Sequence, residues 1–578
     1  MDYENLRRSA EKKMASMYRR RQEYEADWKR YRKAFAPHRG RFSTTEKPRK
    51  NRFRKNSRPL MVAGEFSAGM KGGLTSPTLP WFNLAVYDNR VMTQESVKVH
   101  LSESRDIMLG TMIRTNMYDQ LTDKFEELSP IGTSAMFVEE DETDIFRCDT
   151  LTIGEYAIDQ DDRQRVDSIG IKRRYTISQL ADKFGEEALP PTLRTKLKND
   201  EGDSEYDVCH LVWPNAEYVP DRPGTRWMKF QSLWWLDGNK EGKGEKLFLK
   251  IGGYHEFPCI VSRWKVIGDD LYGRGHPGEI GIDDAETIQI LETTARSALQ
   301  RMADPPMLAP ESLLENASLN RKPGGTTPYN DKLPGQQPPA VTALFQLNFD
   351  FASCEQKIFN LTEALNKAFF VDLFRMWSTD MRQGRTATEI QAREQEKMYV
   401  MGPVIERQMK EVLDPLITRI WGIMNRRGMF PPAPEELAGR NLKIEYSSIL
   451  ANIQKQAAQA GIETVVASIG NLAQLQAAAG ERPEVIDALD CDETAQQISD
   501  MYAIPAGIIR GDDAVAEIRA QKQQAAEQQQ QMQQAMQMAQ AAPDVTGAMQ
   551  DMAETPMQGG GNALEAAMAA IGGAQAAA

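Results

Sequence analysis

A helical pattern of unusual length constrains this chain most. Between Met398 and Met424, apolar residues recur every three or four positions and therefore share one helix face; they are Met398, Met401, Ile405, Met409, Val412, Leu416, Ile420 and Met424. Counted from Thr386 to its end at Gly428 and Pro431-Pro432, the helix would contain about 40 residues and extend over roughly 60 Å. Gly402-Pro403 and Pro415 lie inside it, so we predict a kinked or broken rod.

A capping signal indicates where this helix begins. In Thr386-Ala387-Thr388-Glu389, the Thr386 hydroxyl can accept from the N–H three residues later while Glu389 reaches back, which is a capping box. The segment 378–385 before it, with Arg382, Gly384 and Arg385, is too polar and glycine-rich for a core. Two interpretations stay open: an ordinary long core helix, or a helix that carries a mobile basic loop into a shared space.

The length and composition exclude several classes of protein. With 578 residues, the chain is long enough for several domains with real cores. No apolar run approaches the roughly 18 residues of a membrane span, and the N-terminus lacks the apolar segment of a signal peptide, so we expect no membrane contact. Five scattered cysteines without a CxxC pair predict reduced, structural thiols, and five histidines show no metal-ligand spacing. We therefore expect neither a metal nor a cofactor.

Positive charge is concentrated at one end of the chain. Residues 1–58 contain 20 lysines and arginines against 7 acids, whereas the whole chain contains 70 against 82. The remaining residues thus carry a net charge of −25. An acidic body does not suit tight gripping of a DNA duplex, because such binding depends on many phosphate contacts. It suits a surface past which nucleic acid slides.

Two glycine-rich stretches resemble nucleotide-binding motifs but lack essential parts of them. In 65–82 (EFSAGMKGGLTSPTLPWF), Gly64 and Gly69 have the P-loop gap, but Met70 stands where the lysine belongs, so we predict a flexible, packed turn between two helices. Gly273, Gly275 and Gly278 match GxGxxG. No parallel βαβ unit surrounds them and no strand-end acid follows, so we predict a hinge before a helix.

The remaining patterns predict an α+β protein that is mainly helical. Helices are expected at 2–35, 94–128 and 177–184, with a basic arm at 39–58. A period of two predicts antiparallel strands at 135–139, 145–151, 156–159, 167–174, 206–213, 226–236, 245–251 and 257–264. Then come a helix over Asp283–Met302, a Pro/Gly-rich module, a return helix, the long helix, a strand at 442–446 and an alanine-rich helical region. The tail 521–578, rich in Gln, Ala and Met, predicts a helix to about residue 541 and disorder beyond it.

Several of these stretches together resemble one protein family. EFSAGMKGGLTSPTLPWF, RTATEIQAREQEK, MGPVIERQMKEVLDPLI and LKIEYSSILA are similar to signature segments of the portal, or head-to-tail connector, proteins of short-tailed bacteriophages. The resemblance covers roughly residues 1–510 and is most specific in 65–82 and 385–451. It implies the viral portal fold of wing, stem, clip and crown, assembled as a dodecameric ring at one capsid vertex with DNA threaded through it.

The resemblance also implies a division of the chain. The implied parts are a wing region at 1–270 (basic helix and arm 1–58, α+β body 59–270), hinge and first stem helix at 271–303, clip at 304–347, second stem helix at 348–377, tunnel loop at 378–385, long wing helix and following strand at 386–450, crown at 451–510, and C-terminal helix and flexible tail at 511–578.

The resemblance further implies partners and a DNA-facing site. Arg382, Gln383 and Arg385 of the tunnel loop would contact double-stranded DNA without reading its sequence; the alternative, that these arginines pair with acids such as Asp380 or Glu389, stays open. Implied partners are the packaging ATPase (the terminase large subunit), the major capsid and scaffolding proteins, and the tail adaptors. The protein would assemble in the host bacterial cytoplasm and remain in the virion, without being an enzyme.

Two other classes of function compete with this interpretation. A DNA-acting nuclease or ATPase would need a phosphate-binding loop or an acidic metal cluster at defined spacing. The candidates, Asp159-Asp161-Asp162 and Asp283-Asp284, are typical of turns and helix starts. The second alternative is a scaffolding or adaptor protein without a channel.

Overall fold

The structure is a computed structural model that describes most of the chain. The described residues are 2–45, 55–92, 94–220, 222–238, 244–311, 320, 322–329, 341–345, 347–374, 401–437, 439, 442–447, 468–474, 476, 478, 518–527, 529–530 and 533. The chain forms two compact units, Met1–Met92 with Ser96–Ala503, and Thr93–Glu95 with Ile504–Ala578. In the second unit, residues 518–527 are helical, in agreement with the helix predicted there.

The N-terminal helix α1 (Tyr3–Phe35) confirms the prediction from its periodicity. Asp2 caps it by accepting a hydrogen bond from the Asn5 N–H at 3.2 Å, and the helix ends just before Pro37. One face is buried along its whole length; that face contains Arg7, Ala10, Met14, Met17, Arg21, Tyr24, Trp28, Tyr31 and Phe35. The opposite face is polar, as expected of a helix that lies on a body.

The glycine-rich stretch after the arm is a helix, and the prediction of a turn there is wrong. Helix α2 (Arg58–Leu74) contains the first part of 65–82, and only the residues that follow it form a loop. Tertiary packing explains Gly69, because an added Cβ would lie 2.1 Å from the Phe374 ring. Close approach of an aromatic ring, not flexibility, is the reason for this glycine.

Three further helices precede the sheets. They are α3 (Asn89–Met92), α4 (Glu95–Arg114) and α5 (Met117–Ile131). Helix α5 continues through Pro130 in its last turn and ends at Gly132, which has a φ of 81° and donates to Leu128 O at 2.8 Å. The predicted end before Ser129 is therefore a few residues too early, because the left-handed glycine and not the proline ends the helix.

Residues 133–263 form two antiparallel sheets, which confirms the predicted α+β region. In the first, β2 (Thr133–Asp141) lies between β3 (Ile145–Leu151) and β9 (Cys259–Arg263). The second has the order β4-β5-β6-β7-β8. Its strands are Tyr156–Gln160, Val166–Thr176, Glu205–Pro214, Phe230–Leu236 and Lys250–Tyr254. Helices α6 (Ile177–Phe184), as predicted, and α7 (Pro191–Lys198), which was not, follow β5.

Strands β7 and β8 begin later than the alternation predicts. The residues before them form single 3-10 turns, Thr225–Trp227 and Gly244–Leu247. The Asn215 side chain donates to the carbonyls of Arg226 and Met228 at 2.7 and 2.8 Å and so holds the first turn outside the ladder. A hydrogen bond from a side chain to the backbone of residues elsewhere in the sequence produces no periodic pattern, so the sequence could not predict it.

A small sheet lies between two helices in the order of the chain. Helix α8 (Pro277–Ala303) leads into β10 (Met307–Pro310), which pairs in parallel with β11 (Thr326–Tyr329) and antiparallel with β12 (Thr342–Ala343). Helix α9 (Phe351–Ala368) then returns along α8. The predicted return helix 348–377 is interrupted within the described residues, because Phe370 has a φ of 56°; residues 371–374 after it are helical again.

The long helical pattern is present from residue 401 onwards. Residues 401–408 are helical, Met409–Leu413 form a π-helical turn, and α10 (Asp414–Arg426) continues to the predicted stop near Gly428. Residues 401–426 are called the anchor helix below. The predicted strand 442–446 is β13 (Leu442–Tyr446), which pairs with β1 (Phe82–Val86) at the end of the glycine-rich stretch.

The anchor helix closes the largest apolar core. Its predicted apolar face is buried at Met401, Ile405, Val412, Leu416, Ile420 and Met424. These side chains pack with those of α2, α4, α5 and the first sheet. A second core joins α1 to both sheets and to the start of α8. No helix within the described ranges combines the length and apolarity that crossing a bilayer requires.

Candidate functional site at the base of the long helix

The residues predicted to face DNA lie outside the part of the chain that the structure describes. These are Arg382, Gln383 and Arg385, together with the cap residues Thr386 and Glu389. The structure does describe the other end of the same helical pattern, where the anchor helix meets the sheets.

The two prolines of the anchor helix lie within helical backbone. Gly402 and Pro403 belong to the helical residues 401–408, and Pro415 follows the π-helical turn as the second residue of α10. Proline has no N–H to donate, and its ring crowds the carbonyl of the preceding turn. A π turn beside the proline accommodates both the missing hydrogen bond and the crowding. The predicted kink stays a prediction, with this turn as its natural position.

A buried ion pair fastens the π turn to the first sheet. Arg263, at the end of β9, donates to Glu411 twice: from its backbone N–H at 2.8 Å and from Nη2 at 2.9 Å. Arg407, one helical turn away, donates to the same carboxylate at 3.1 Å. The Arg263 side chain is only 3% exposed, so its charge depends on this carboxylate for compensation.

A second cluster of charges holds the C-terminal half of the anchor helix. Arg419, with a side chain 1% exposed, donates to Glu256 at 2.6 Å and lies over the Tyr254 ring. Arg426 donates to Glu256 at 2.7 Å and also to Glu140 at 2.7 Å. Together these contacts connect the helix to β2 and to the segment between β8 and β9.

Helix α5 brings a buried cation to the same sheet. Lys124 Nζ lies among four oxygen atoms: Ser134 O at 2.9 Å, Ser134 Oγ at 3.3 Å, Ile260 O at 3.0 Å and Ser262 Oγ at 3.0 Å. Burial lowers the pKa of Lys124 to about 7. The ammonium therefore connects α5 to both β2 and β9, the strand that ends at Arg263.

One turn further along α5, an acid is buried. Glu127 Oε1 accepts from the Ile153 N–H at 2.6 Å and from the Thr152 hydroxyl at 3.1 Å. Its other oxygen has no hydrogen-bond partner among the described residues. Burial raises the pKa of Glu127 to about 7, although the nearby Arg39 guanidinium opposes the shift. Its charge thus depends on pH in the neutral range.

The predicted glycine hinge is a closely packed junction between α5 and α8. A Cβ on Gly273 would lie 2.0 Å from Gly132 O, and one on Gly278 would lie 2.2 Å from Pro130 O. Gly275 has a φ of +64° and open space around it. His276 caps α8 by accepting from the Glu279 N–H at 3.1 Å, and burial lowers the pKa of its ring to about 3. Close packing accounts for two of the glycines; hinge motion stays a prediction.

Helices α8 and α9 keep only part of their apolar surface inside the chain. Of the face predicted on α8, Ile288 and Ala298 are buried, whereas Leu299 is 59% exposed. Ile290 on α8 and Phe359 on α9 are also largely exposed. Since Ile290 and Leu299 are nine residues apart, they lie on opposite sides of the helix. A helix with uncovered apolar side chains on two sides suits contacts with two neighbours.

One member of each acidic cluster that a nuclease could use forms ion pairs within the chain. Asp159 pairs with Lys13 at 2.5 Å and Arg20 at 2.7 Å, and Asp283 pairs with Arg30 at 2.6 Å. Within the described residues, no group of three or more His, Cys, Asp or Glu side chains could hold a metal ion.

His210 belongs to the core, as predicted, with its ring stacked on Trp234 at 3.7 Å. Four cysteines are buried and unpaired, as predicted: Cys148, Cys209, Cys259 and Cys354.

Sequence reasoning missed the buried charges that hold the anchor helix and helix α5 on the first sheet. Two of them carried a detectable signal, because Arg419 and Lys124 fall on the apolar faces of their helices, three residues after Leu416 and Leu121. Arg263 and Glu411 carried no such signal, since these two partners are 148 positions apart in the sequence. The contacts at this base therefore fix residues 401–426 to the first sheet and to the segment between β8 and β9.

Comparison with known proteins gives this architecture a family. Residues 7–509 match the model of the bacteriophage head to tail connecting protein family. A protein of Salmonella phage epsilon15 named as a portal protein is 30% identical over 92% of this chain and 94% of its own. A probable portal protein of Bordetella phage BPP-1 is 30% identical over 88% and 90%. A chain in the virion of a native gene transfer agent particle aligns with 11% identity over 79% of this chain and 93% of its own, with a TM-score of 0.31.

The chain therefore belongs to the family of bacteriophage head-to-tail connecting proteins. The resemblance found in the sequence is confirmed. The protein is a structural component of the head-to-tail connection of a phage virion and not an enzyme.

Proposed function

We propose that this chain is a portal protein, a dodecameric ring at one capsid vertex that serves as the channel for DNA packaging and ejection. The observation that carries the proposal is the family match over residues 7–509, together with two portal relatives that are similar along nearly their whole length. The implied division into wing, stem, clip, tunnel loop and crown belongs to the same proposal.

Two features of the described residues support a ring. Ile290 and Leu299 lie uncovered on opposite sides of α8, as required of a helix that packs between two copies in a closed heterologous assembly. The anchor helix is fastened to the sheets by Arg263–Glu411 and Arg419–Glu256, which gives a loop at its far end a rigid support. In this proposal, Arg382, Gln383 and Arg385 of that loop meet DNA phosphates and not base edges.

The proposal includes several partners. Double-stranded DNA passes through the ring, the packaging ATPase docks during filling, and tail adaptors replace it afterwards. The major capsid and scaffolding proteins surround the ring during assembly in the bacterial cytoplasm. Energy for translocation then comes from the separate ATPase.

The native mass of the purified protein tests the proposal. A closed ring of about twelve chains, each of 65.0 kDa, has a mass of about 780 kDa and shows a central hole by electron microscopy. A monomer or dimer that persists at high concentration, even after capsid and scaffolding proteins are added, would contradict it. Magnesium-dependent nuclease or ATPase activity of the pure protein would favour the enzyme alternative instead.

A double substitution tests the loop. Arg382→Ala with Arg385→Ala should leave ring formation intact and alter DNA packaging or retention. Arg163→Ala with Arg165→Ala is a matched control, because both arginines are exposed on the hairpin between β4 and β5. Loss of rings in the loop variant alone would make the loop an assembly element.

A further inference from the structure

Most of the positive charge near the start of α1 is neutralised within the chain. Arg7 donates to the carbonyls of Leu236 and Leu247 at 3.0 and 2.9 Å. Lys13 and Arg20 share the Asp159 carboxylate. These cations hold the helix on the five-stranded sheet, and they cannot serve a partner as well.

Three cations on the outer face of α1 do not bind the sheet. Arg8, Lys12 and Arg19 are exposed, and no hydrogen bond or ion pair of their side chains occurs within the described residues. Their spacings of four and seven residues place them on one helix face, along about 16 Å of the axis. We call them the α1 stripe.

The surroundings of the α1 stripe restrict its partner. The exposed residues between its second and third cations, Ala15 and Ser16, are small. None of the exposed large apolar side chains found within the described residues lies on α1. A protein interface normally has an apolar centre, and a membrane-bound helix inserts apolar side chains into lipid. The stripe has neither, and a straight row of cations is complementary in charge and shape to a hydrophilic polyanion.

We propose that the α1 stripe binds the phosphate backbone of duplex DNA, at a contact separate from the basic loop at 378–385. Duplex DNA is stiff and carries one charge per roughly 1.7 Å of its axis, so a straight helix face meets several phosphates at once. Glu4 and Glu23 flank the stripe and limit the contact to its three cations. The inference rests on the proposed function, in which DNA is the polymer that the protein handles.

The test measures binding of the purified, assembled protein to a 60-bp duplex of arbitrary sequence between 50 and 200 mM NaCl. In the variant Arg8→Gln/Lys12→Gln/Arg19→Gln, we expect the slope of log affinity against log salt to fall by about 2.7 per engaged protomer, which corresponds to three phosphate contacts. Affinity at the lowest salt should fall at least tenfold.

Two further variants isolate the contact. Arg163→Gln/Lys229→Gln/Lys250→Gln removes the same charge from exposed positions on other elements and should bind DNA as the wild type does. Arg382→Ala/Arg385→Ala removes only the proposed loop contact, so loss of the stripe should lower the slope by the same amount, about 2.7, in this background as in the wild type. A slope that loss of the stripe leaves unchanged in either background overturns the proposal, as does stronger stripe-dependent binding to vesicles with anionic lipids than to the duplex.

The native mass of each variant separates this inference from the proposed function. All three stripe residues are exposed, so the stripe variant should form the same assembly with the same melting temperature. If the rings form but bind no duplex through α1, the portal proposal stands and the stripe proposal fails. If no ring forms in any sample, the portal proposal fails independently of the binding result.

Discussion

Glu411 accepts two hydrogen bonds from Arg263, one from the backbone N–H at 2.8 Å and one from the guanidinium at 2.9 Å. This contact joins the π-helical turn of the anchor helix to the end of β9. A single carboxylate thus accepts from both the backbone and the guanidinium of a residue that is almost fully buried, while Gln160 Oε1 and Gln164 O accept the other guanidinium hydrogen bonds. The base of the long helix depends on it more than on any exposed pair.

Removal of this carboxylate should be costly. Glu411→Ala leaves the Arg263 charge buried without its partner, and we expect the free energy of unfolding to fall by about 3–5 kcal/mol. Glu406→Ala on the same helix breaks only an exposed pair with Lys410 and should cost less than about 1 kcal/mol. Urea unfolding of both variants measures the difference. Equal losses would mean that the Arg263 contact does not hold the helix.

The two arginines that share Glu256 should also differ in how much free energy of unfolding is lost when each is replaced. The Arg419 side chain is 1% exposed and that of Arg426 is 30% exposed. Arg419→Met should lower the free energy of unfolding by about 2 kcal/mol, because it removes a hydrogen bond between charged groups and the contact of the guanidinium with the Tyr254 ring, although Glu256 keeps its bond to Arg426. Arg426→Met should cost about 1 kcal/mol or less. Thermal unfolding of the two variants checks the order, and the reverse order would refute this assignment.

Two glycines of α2 should respond oppositely to alanine. In Gly69→Ala, the new methyl group would meet the Phe374 ring at 2.1 Å, so we expect a loss of about 1–3 kcal/mol from overpacking. Gly64→Ala meets nothing within 4 Å and should stabilise the helix by about 0.5–1 kcal/mol. Melting temperatures of the two variants measure this. Stabilisation by both substitutions would show that Phe374 does not pack on α2.

The buried acid on α5 should make stability depend on pH. The pKa of Glu127 is raised to about 7 from 4.5, so between these values the folded protein binds a proton that the unfolded chain releases. The free energy of unfolding contributed by this group therefore falls as pH rises from about 4.5 to about 7. In Glu127→Gln the side chain stays neutral and keeps its acceptor for the Ile153 N–H.

Melting temperatures from pH 5 to pH 8 test this dependence. We expect the variant to gain stability relative to the wild type as pH rises through this window. The neighbouring Lys124 does not obscure the result. Its lowered pKa makes stability rise with pH between about 7 and 10.5, mostly above the window of Glu127. Parallel curves for the two proteins would show that Glu127 ionises as an ordinary exposed acid.

Local patterns in the sequence were sufficient for most of the elements. The periodicity of α1 and of the anchor helix, the alternation in residues 135–264 and the strand at 442–446 all correspond to elements of the structure. The quoted signature segments were sufficient to identify the family, which the comparisons confirm. Periodicity succeeds because a helix or strand that buries one face must repeat its apolar residues at a fixed spacing.

Only the tertiary structure decided what the glycines and the buried charges do. The stretch 65–74 is helical despite its glycines, and Gly69 lets the Phe374 ring, far along the chain, approach the helix closely. Strand β1 forms because it pairs with β13, and the buried charge of Arg263 is compensated because Glu411 lies beside it. Such contacts join residues that are more than a hundred positions apart, and a buried charge or a missing Cβ has meaning only beside its partner. The sequence alone therefore determined the elements and the family, while the fold decided how the long helix is held.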